Sequence, residues 1–549
     1  VTPDGPPADL VGRARAWIAA DPDPVTRAEL AALVDSLALH TDTHAAAALA
    51  DRMAPLRFGT AGLRGPVRGG PNGMNVAVVR RTTAGLAAWL AGRGLAGGTV
   101  VVGRDARHGS AAFAEACAGV LAAAGFDVRT LPGPLPTPLL AYAVRALPAV
   151  AGVQITASHN PAADNGYKVY LGFGDHAGAQ LVAPHDAEIE AAIAAAPPAA
   201  AVPVLDGAGT PCDPLPGYLD RVARLPRCVY VCRAKPPRIA LTALHGVGAA
   251  VAVRALRAAG FPDVHLVAGQ AEPDPDFPTV ASPNPEDPAA TAALLALAAE
   301  VDADLAVALD PDADRCAIGV RDPAAPGGRR MLTGDEVGAL LGDHILATTG
   351  SADPLVATTL VSSGLLARIA AARGARHAET PTGFKWIVRA GPGLVYGYEE
   401  AIGYCVDPDG VRDKDGIAAA VLVADLATRG PLTAALDALA VRHGVHRTAS
   451  RRWSMTPERI AAALDRFGRA AGVRRPAPDL LVRRTPGQRV AVRPSGTEPV
   501  LKAYLEVVEP VAGAADLPAA TERARHRLAM LDAELATSIG EGDPPSPPC

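Results

Sequence analysis

Apolar positions along this chain change their period as it advances. Between residues 75 and 170, stretches with apolar residues every three or four positions alternate with short continuous apolar runs. The first spacing belongs to a helix with one buried face, the second to a strand buried on both faces. The pattern predicts helices over 76–93, 110–124 and 137–146 and strands over 99–103, 126–131 and 150–155, with an antiparallel strand over 167–171. Such alternation with short connections implies a mainly parallel sheet covered by helices. It recurs twice: strands over 238–243, 264–268 and 303–309 with helices over 247–259 and 288–299, then helices over 334–348 and 364–373 with strands over 355–360 and 394–396. The end of the chain reads differently, as strands over 489–492 and 500–508 and a helix over 517–536, an α+β order. Ahead of all this, residues 1–50 predict two amphipathic helices, 10–20 and 27–39, split by Asp21-Pro22-Asp23-Pro24, with Thr26 as N-cap.

At 549 residues the chain exceeds one hydrophobic core, and breaks rich in Ala, Pro and Gly at 191–216 and 323–328 divide it. The expected units are a helical extension 1–50, α/β units 51–207, 208–328 and 329–441, an α+β unit 442–540 and a frayed Pro-rich tail 541–549. A net charge of −5 argues against nucleic acid or an anionic membrane as the main partner. The N-terminus lacks the basic and apolar regions of a signal peptide, and no apolar run reaches membrane-spanning length. Seven scattered cysteines without a framework fit a cytoplasmic protein. Cys228 and Cys232 have no second pair to complete a zinc site. The five lysines, among them Lys168, Lys385 and Lys414, stand out in an arginine-rich chain and suggest places where a compact ammonium is needed.

The chemistry concentrates in the loops that end the apolar runs. Thr156-Ala157-Ser158-His159-Asn160-Pro161 follows a buried strand and offers a hydroxyl, an imidazole and an amide, with the Lys168 amine shortly after. No Gly-x-Ser-x-Gly elbow surrounds Ser158, so an acyl-enzyme is not expected. Asp310, Asp312 and Asp314 alternate at the end of a strand, where period two puts them on one face, and three carboxylates there call for a hard divalent cation. An EF-hand is excluded because Arg315 and Arg321 stand where it needs Gly and Glu. Glu399 and Glu400 could accept from sugar hydroxyls, hold a second metal or be surface charge. Arg493-Pro494-Ser495-Gly496-Thr497 supplies a guanidinium, two hydroxyls and free amides, suited to a phosphate dianion. The glycine-dense stretch from Arg57 to Gly65 reads either as an anion-contacting loop or as a turn.

Four of these stretches, Thr156–Pro161, Asp310–Arg315, Glu399–Gly403 and Arg493–Pro499, resemble the four signatures of the α-D-phosphohexomutase superfamily, in the family's order and across nearly the whole chain. Arg57–Gly65 and Thr382-Gly383-Phe384-Lys385-Trp386 resemble the branch with phosphoglucomutase-2-type and phosphopentomutase enzymes. The resemblance implies three related mixed-sheet α/β domains plus a C-terminal α+β domain around a central cleft. It implies a mutase interconverting hexose 1-phosphate and 6-phosphate, glucose or mannose, through a phosphoserine and a sugar 1,6-bisphosphate that also primes the enzyme. Ser158 would be the phosphoserine, with Mg²⁺ on its oxygen and on Asp310, Asp312 and Asp314. Arg64 and Lys168 would serve proton transfer and phosphoryl stabilisation, Arg315, Lys385 and Glu399 would contact substrate, and Arg493, Ser495, Gly496 and Thr497 would hold the non-reacting phosphate; His159, by its own chemistry beside Ser158, is a further candidate to stabilise the group or move protons. Two positions depart from the resemblance: Ala401 stands where many hexomutases have serine, and Gly403 where some mannose and glucose enzymes have histidine. A phosphopentomutase, a Mg²⁺-dependent sugar phosphatase and a non-catalytic phosphosugar-binding protein are the rival readings, as monomer or homodimer, and closure of the last domain over substrate is expected.

Overall fold

The apolar run Ala149–Ile155 lies inside the first of four sheets, paired on both sides. The structure, a computed structural model, describes residues 8–39, 43–226, 236–495 and 499–540. Strand Thr99–Arg104 runs parallel to Asp127–Pro134 and to Ala149–Ile155, and the latter then pairs antiparallel with Asp164–Leu171. Leu63–Pro66 closes that edge, antiparallel to Asp164–Leu171. The second sheet repeats the plan. Leu305–Leu309 is parallel to Ile239–Thr242 and antiparallel to its successor Cys316–Arg321. So does the third: Leu394–Glu399 is parallel to Leu355–Thr359 and antiparallel to Gly403–Cys405. Each sheet therefore contains one turn from a parallel strand into an antiparallel partner. Those three turns are the serine, aspartate and glutamate loops predicted to carry chemistry.

The fourth sheet is wholly antiparallel, in the order Val445–Ser454, Val500–Glu509, Gln488–Pro494, Leu480–Thr485, Val473–Ala477. Helices Pro457–Gly468 and Leu517–Ile539 pack against it around Trp453, Phe467, Leu505 and Leu531. One continuous apolar cluster runs from the first sheet through the second and third, joining Leu140, Leu241, Val307, Leu341 and Tyr396. The fourth sheet keeps a core of its own. This is the four-domain α/β fold with an α+β C-terminal unit that was expected.

Several local expectations change. A third N-terminal helix, Thr43–Arg52, follows Ala8–Ala20 and Pro24–Leu39 and carries the extension past residue 50. Thr26 is not an N-cap: Pro24 begins the helix, Asp23 accepts the Val25 amide at 2.9 Å, and the Thr26 hydroxyl donates instead to Asp21 at 2.8 Å. Thr210–Pro211 still pairs in the first sheet and Arg329–Met331 in the second, so both sheets extend past the breaks expected at 207 and 328. The aspartates do not prolong their strand. It ends at Leu309, and the chain turns through residues 310–315 with Ala313 at φ 56°. No single helix among the described residues is long and apolar enough to cross a membrane.

Candidate active site

All three loops force one non-glycine residue into the left-handed region: Ser158 at φ 54°, Ala313 at 56° and Ile402 at 54°. That conformation costs an L-residue roughly 1–2 kcal/mol and persists only where the surroundings dictate it. At Ser158 it brings Oγ across the domain boundary, where it donates to Asp310 Oδ2 at 2.8 Å. The turn at Ala313 gathers the aspartates so that one carboxylate oxygen from each lies within 4.8 Å of the others, all buried. A curled loop, not strand alternation, builds this cluster.

Lys168 reaches it from Asp164–Leu171, donating to Asp312 at 2.6 Å and to Asp314 at 3.0 Å. Burial alone would lower this amine, but Asp312 and Asp314 more than offset it and leave its pKa raised. Asp312 also accepts from Thr137 Oγ1 at 2.5 Å, and the amide of Arg315 donates to Asp310 at 3.1 Å. Asp312 Oδ1 and Asp314 Oδ1 are buried with no hydrogen-bond partner. Oxygens buried without a donor are costly, and a hard cation held by carboxylates is a group this donor set fits.

His159 Nδ1 stands 3.3 Å from Ser158 Oγ. Burial, then Arg315 and Arg64, push its pKa well below the usual imidazole value, so it is neutral at pH 7. Arg64 lies on Leu63–Pro66 opposite Gly166, 3.5 Å from Asn160 Oδ1. Its strand fits there because Gly62, at φ 78°, has no side chain; a Cβ would stand 1.8 Å from the Tyr167 carbonyl oxygen. Arg315 lies 3.7 Å from Glu286 and 4.0 Å from Asp314. Glu399 ends its strand with its pKa raised by burial against the pull of Lys414 and Arg315.

Lys414 is a site residue to which sequence reasoning gave no role. Its ammonium lies 3.3 Å from Asp314 and 3.4 Å from Asp413, over the Phe384 ring. Its stem fills the room above Gly403, where a Cβ would be 2.4 Å from Lys414 Cδ. Asp314, Asp413 and Glu399 outweigh burial and raise its pKa. The signal was its survival as one of five lysines.

Lys385 bonds to Thr60 of the Arg57–Gly65 stretch, so that stretch meets the third domain. Burial lowers Lys385, and among the charges acting on it are Arg493 of the fourth sheet and Glu399 of the third. Lys385 therefore lies within electrostatic reach of both loops. Arg493 has its Nε buried without a hydrogen-bond partner, 3.7 Å from Asp479, and the Ser495 amide closes the hairpin onto Val500 O at 2.7 Å. Lys502 sits directly opposite Arg493 in the sheet, and Arg452 directly opposite Lys502. Gly496 and Thr497 lie outside the described residues, as do Cys228, Cys232 and 541–549.

Fold and site together define an isomerase of the phosphomutase type. The chain belongs to the phosphoglucomutase/phosphomannomutase family: the family's α/β/α domains I, II and III match residues 55–199, 216–325 and 333–442, and its C-terminal domain matches 425–524. It is 39% identical over 463 residues to a "Probable phosphomannomutase" of Haemophilus influenzae, covering 79% of this chain and 93% of that one. It is 34% identical over 432 residues to the phosphopentomutase of Mus musculus, covering 72% and 68%. A solved protein of the phosphomannomutase type from Thermus thermophilus superposes with a TM-score of 0.68 at 27% identity, over 88% of this chain and 100% of that one.

Proposed function

We propose that the protein interconverts hexose 1-phosphate and hexose 6-phosphate, with glucose or mannose as the sugar, by passing a phosphoryl group through Ser158. The observation that carries the reading is Ser158 Oγ on Asp310, beside the Lys168 ammonium bound to Asp312 and Asp314. In the first half-reaction the free hydroxyl of the bound monophosphate attacks the phosphorus of phospho-Ser158. The P–Oγ bond breaks, the hydroxyl loses its proton, and Ser158 Oγ gains one. The sugar, now a 1,6-bisphosphate, turns end for end and returns its other phosphoryl group to Ser158. Asp310, Asp312, Asp314 and a Ser158 oxygen would hold Mg²⁺, which when bound supplies positive charge to the transferring group.

Lys168 and Lys414 are kept protonated by their carboxylate neighbours. They stabilise negative charge and donate hydrogen bonds, but do not act as bases at pH 7. The neutral imidazole of His159, 3.3 Å from Oγ, is the group placed to take or return the proton there. Arg64 and Arg315 add charge around the phosphoryl group, Glu399 accepts from sugar hydroxyls, and Lys385 faces the substrate from the third domain. Arg493, Ser495, Gly496 and Thr497, with Lys502 beside them, hold the non-reacting phosphate. This division, positioning plus electrostatics, is what phosphoryl transfer demands.

One observation favours pentose: Ala401 offers no hydroxyl where many hexose enzymes of the family carry serine, so one sugar contact is missing. The test is a kcat/KM panel over glucose 1-phosphate, mannose 1-phosphate, ribose 1-phosphate and glucosamine 1-phosphate, with Mg²⁺ and the matching bisphosphate. A hexose preference is expected. A ribose preference would move the assignment to phosphopentomutase, and release of inorganic phosphate instead of an isomer would make the protein a phosphatase.

A further inference from the structure

Arg107 follows strand Thr99–Arg104 and belongs to none of the loops assigned chemistry above. It is buried, 4% exposed. Its guanidinium reaches into the serine loop and donates to four backbone carbonyls: Nη2 to Ser158 O and Asn160 O, both at 2.6 Å, and Nη1 to Pro161 O at 2.7 Å and Asp164 O at 3.0 Å. We infer that Arg107 is a positioning residue that fixes the Ser158 loop in its transferring geometry, an inference that rests on Ser158 being the phosphoryl carrier.

The physical case begins with the loop. Ser158 sits at φ 54°, a conformation from which a non-glycine residue relaxes unless it is held. Four carbonyl dipoles converge on one point, and they repel one another unless a cation with several directed donors fills it. A guanidinium presents such a fork; an ammonium offers three donors from a single atom and no plane. The fork is itself oriented. Arg107 Nε lies 3.5 Å from Asp105 Oδ2, while Asp105 Oδ1 accepts from the Arg107 amide at 2.9 Å and the Ser110 hydroxyl at 2.6 Å. The other side of the guanidinium is covered by the Phe277 ring, 4.9 Å from Cζ. Phe277 belongs to the second domain, which carries the three aspartates. The same contact that closes over Arg107 therefore registers the serine loop against the metal loop, and Ser158 Oγ meets Asp310 across that seam.

The test compares Arg107→Lys, Arg107→Ala and Ser158→Ala, each checked for folding by circular dichroism, in steady-state assays of the mutase reaction. Arg107→Lys should lose about 100-fold in kcat with KM for the sugar phosphate changed by no more than about threefold, because the groups that bind substrate are untouched. Arg107→Ala should fall further and regain activity in millimolar guanidinium chloride but not in sodium chloride of the same ionic strength, since the four carbonyls leave a guanidinium-shaped gap. If Arg107→Ala does not fold, Arg107→Lys alone decides. Wild-type kcat in Arg107→Lys with an inactive Ser158→Ala would overturn the positioning role and leave the Ser158 reading standing. So would a loss in Arg107→Lys matched by its unfolded fraction. An active Ser158→Ala would overturn the carrier reading, and the positioning role with it.

Discussion

Glu399 and Glu400 are neighbours in the chain with different surroundings. Glu399 faces Lys414 and Arg315. Glu400 turns the other way, where Thr359 and Ser362 hydroxyls donate to its Oε2, each at 2.9 Å. Burial, then the charges of Glu399 and Asp335, raise its carboxyl from 4.5 to about 7. The folded protein thus holds this proton more tightly than the unfolded chain. The associated stability is complete below pH 4.5 and is lost as pH rises through 7, up to about 3 kcal/mol. Glu400→Gln keeps an oxygen for both hydroxyls and removes the charge. It should melt higher than wild type at pH 8 and converge with it near pH 4.5; parallel pH profiles would refute this. Gly403 carries a second residue-scale prediction. A methyl group there collides with the Lys414 stem, so Gly403→Ala should shift the ammonium and lower kcat by about tenfold or more while weakening substrate binding little. A KM effect without a kcat effect would mean that Lys414 serves binding alone.

Elements of the fourth sheet reach the third domain through two buried charges. Arg489, on Gln488–Pro494, donates to the carbonyls of Leu360, Val361 and Ser362 and lies 3.2 Å from Glu506 on the neighbouring strand. Glu506 accepts from the Ser363 hydroxyl at 2.7 Å and the Gly364 amide at 2.8 Å, and pairs with His446 at 2.9 Å. Since Ser362 also bonds Glu400, the strand that carries Arg493 is tied to the loop that carries Glu399. Removing Arg489 leaves Glu506 buried with one partner fewer, a loss of about 3–5 kcal/mol where a buried pair is broken. Arg489→Ala should speed amide exchange across Val500–Glu509 and raise KM for the phosphosugar; unchanged exchange would show that the fourth domain is held elsewhere. Despite its burial, Glu506 is held down to about 2 by His446, Arg489 and Ser363, so the tie holds above pH 4.5 and is released as pH falls through 2. These contacts were not legible in the sequence, and the reason lies in the elements. Strands such as Ala149–Ile155 and Leu305–Leu309 are buried on both faces and read as apolar runs. Val445–Ser454, Val473–Ala477 and Leu480–Thr485 carry arginines at several positions, so no apolar run or clean alternation marks them. The acid loop was recognisable by composition but its curl was not, because the turn depends on Ala313 adopting a conformation that alanine rarely takes. Arg107 was invisible for a related reason: its partners are backbone carbonyls more than fifty residues away, which leave no pattern in side chains.

At the scale of the molecule the charge is unevenly placed. The chain carries −5 in all, yet residues 442–540 hold seventeen Lys and Arg against ten Asp and Glu. That leaves +7 on the fourth domain and −12 on the rest. Much of the positive charge is exposed, including Arg447, Arg474 and Arg475, and so sits away from the buried site. A field of this kind draws an anion toward the domain that carries Arg493 before any contact forms, and salt screens it over about 10 Å at 0.1 M. Steering acts on encounter and leaves chemistry alone. The double variant Arg474→Gln/Arg475→Gln, which touches neither the cleft nor a buried pair, should therefore lower kcat/KM by about two- to fivefold at low ionic strength with kcat unchanged. The gap to wild type should close as salt is raised to 0.5 M. If the two proteins share one kcat/KM at low salt, the excess charge of the fourth domain plays no part in capture.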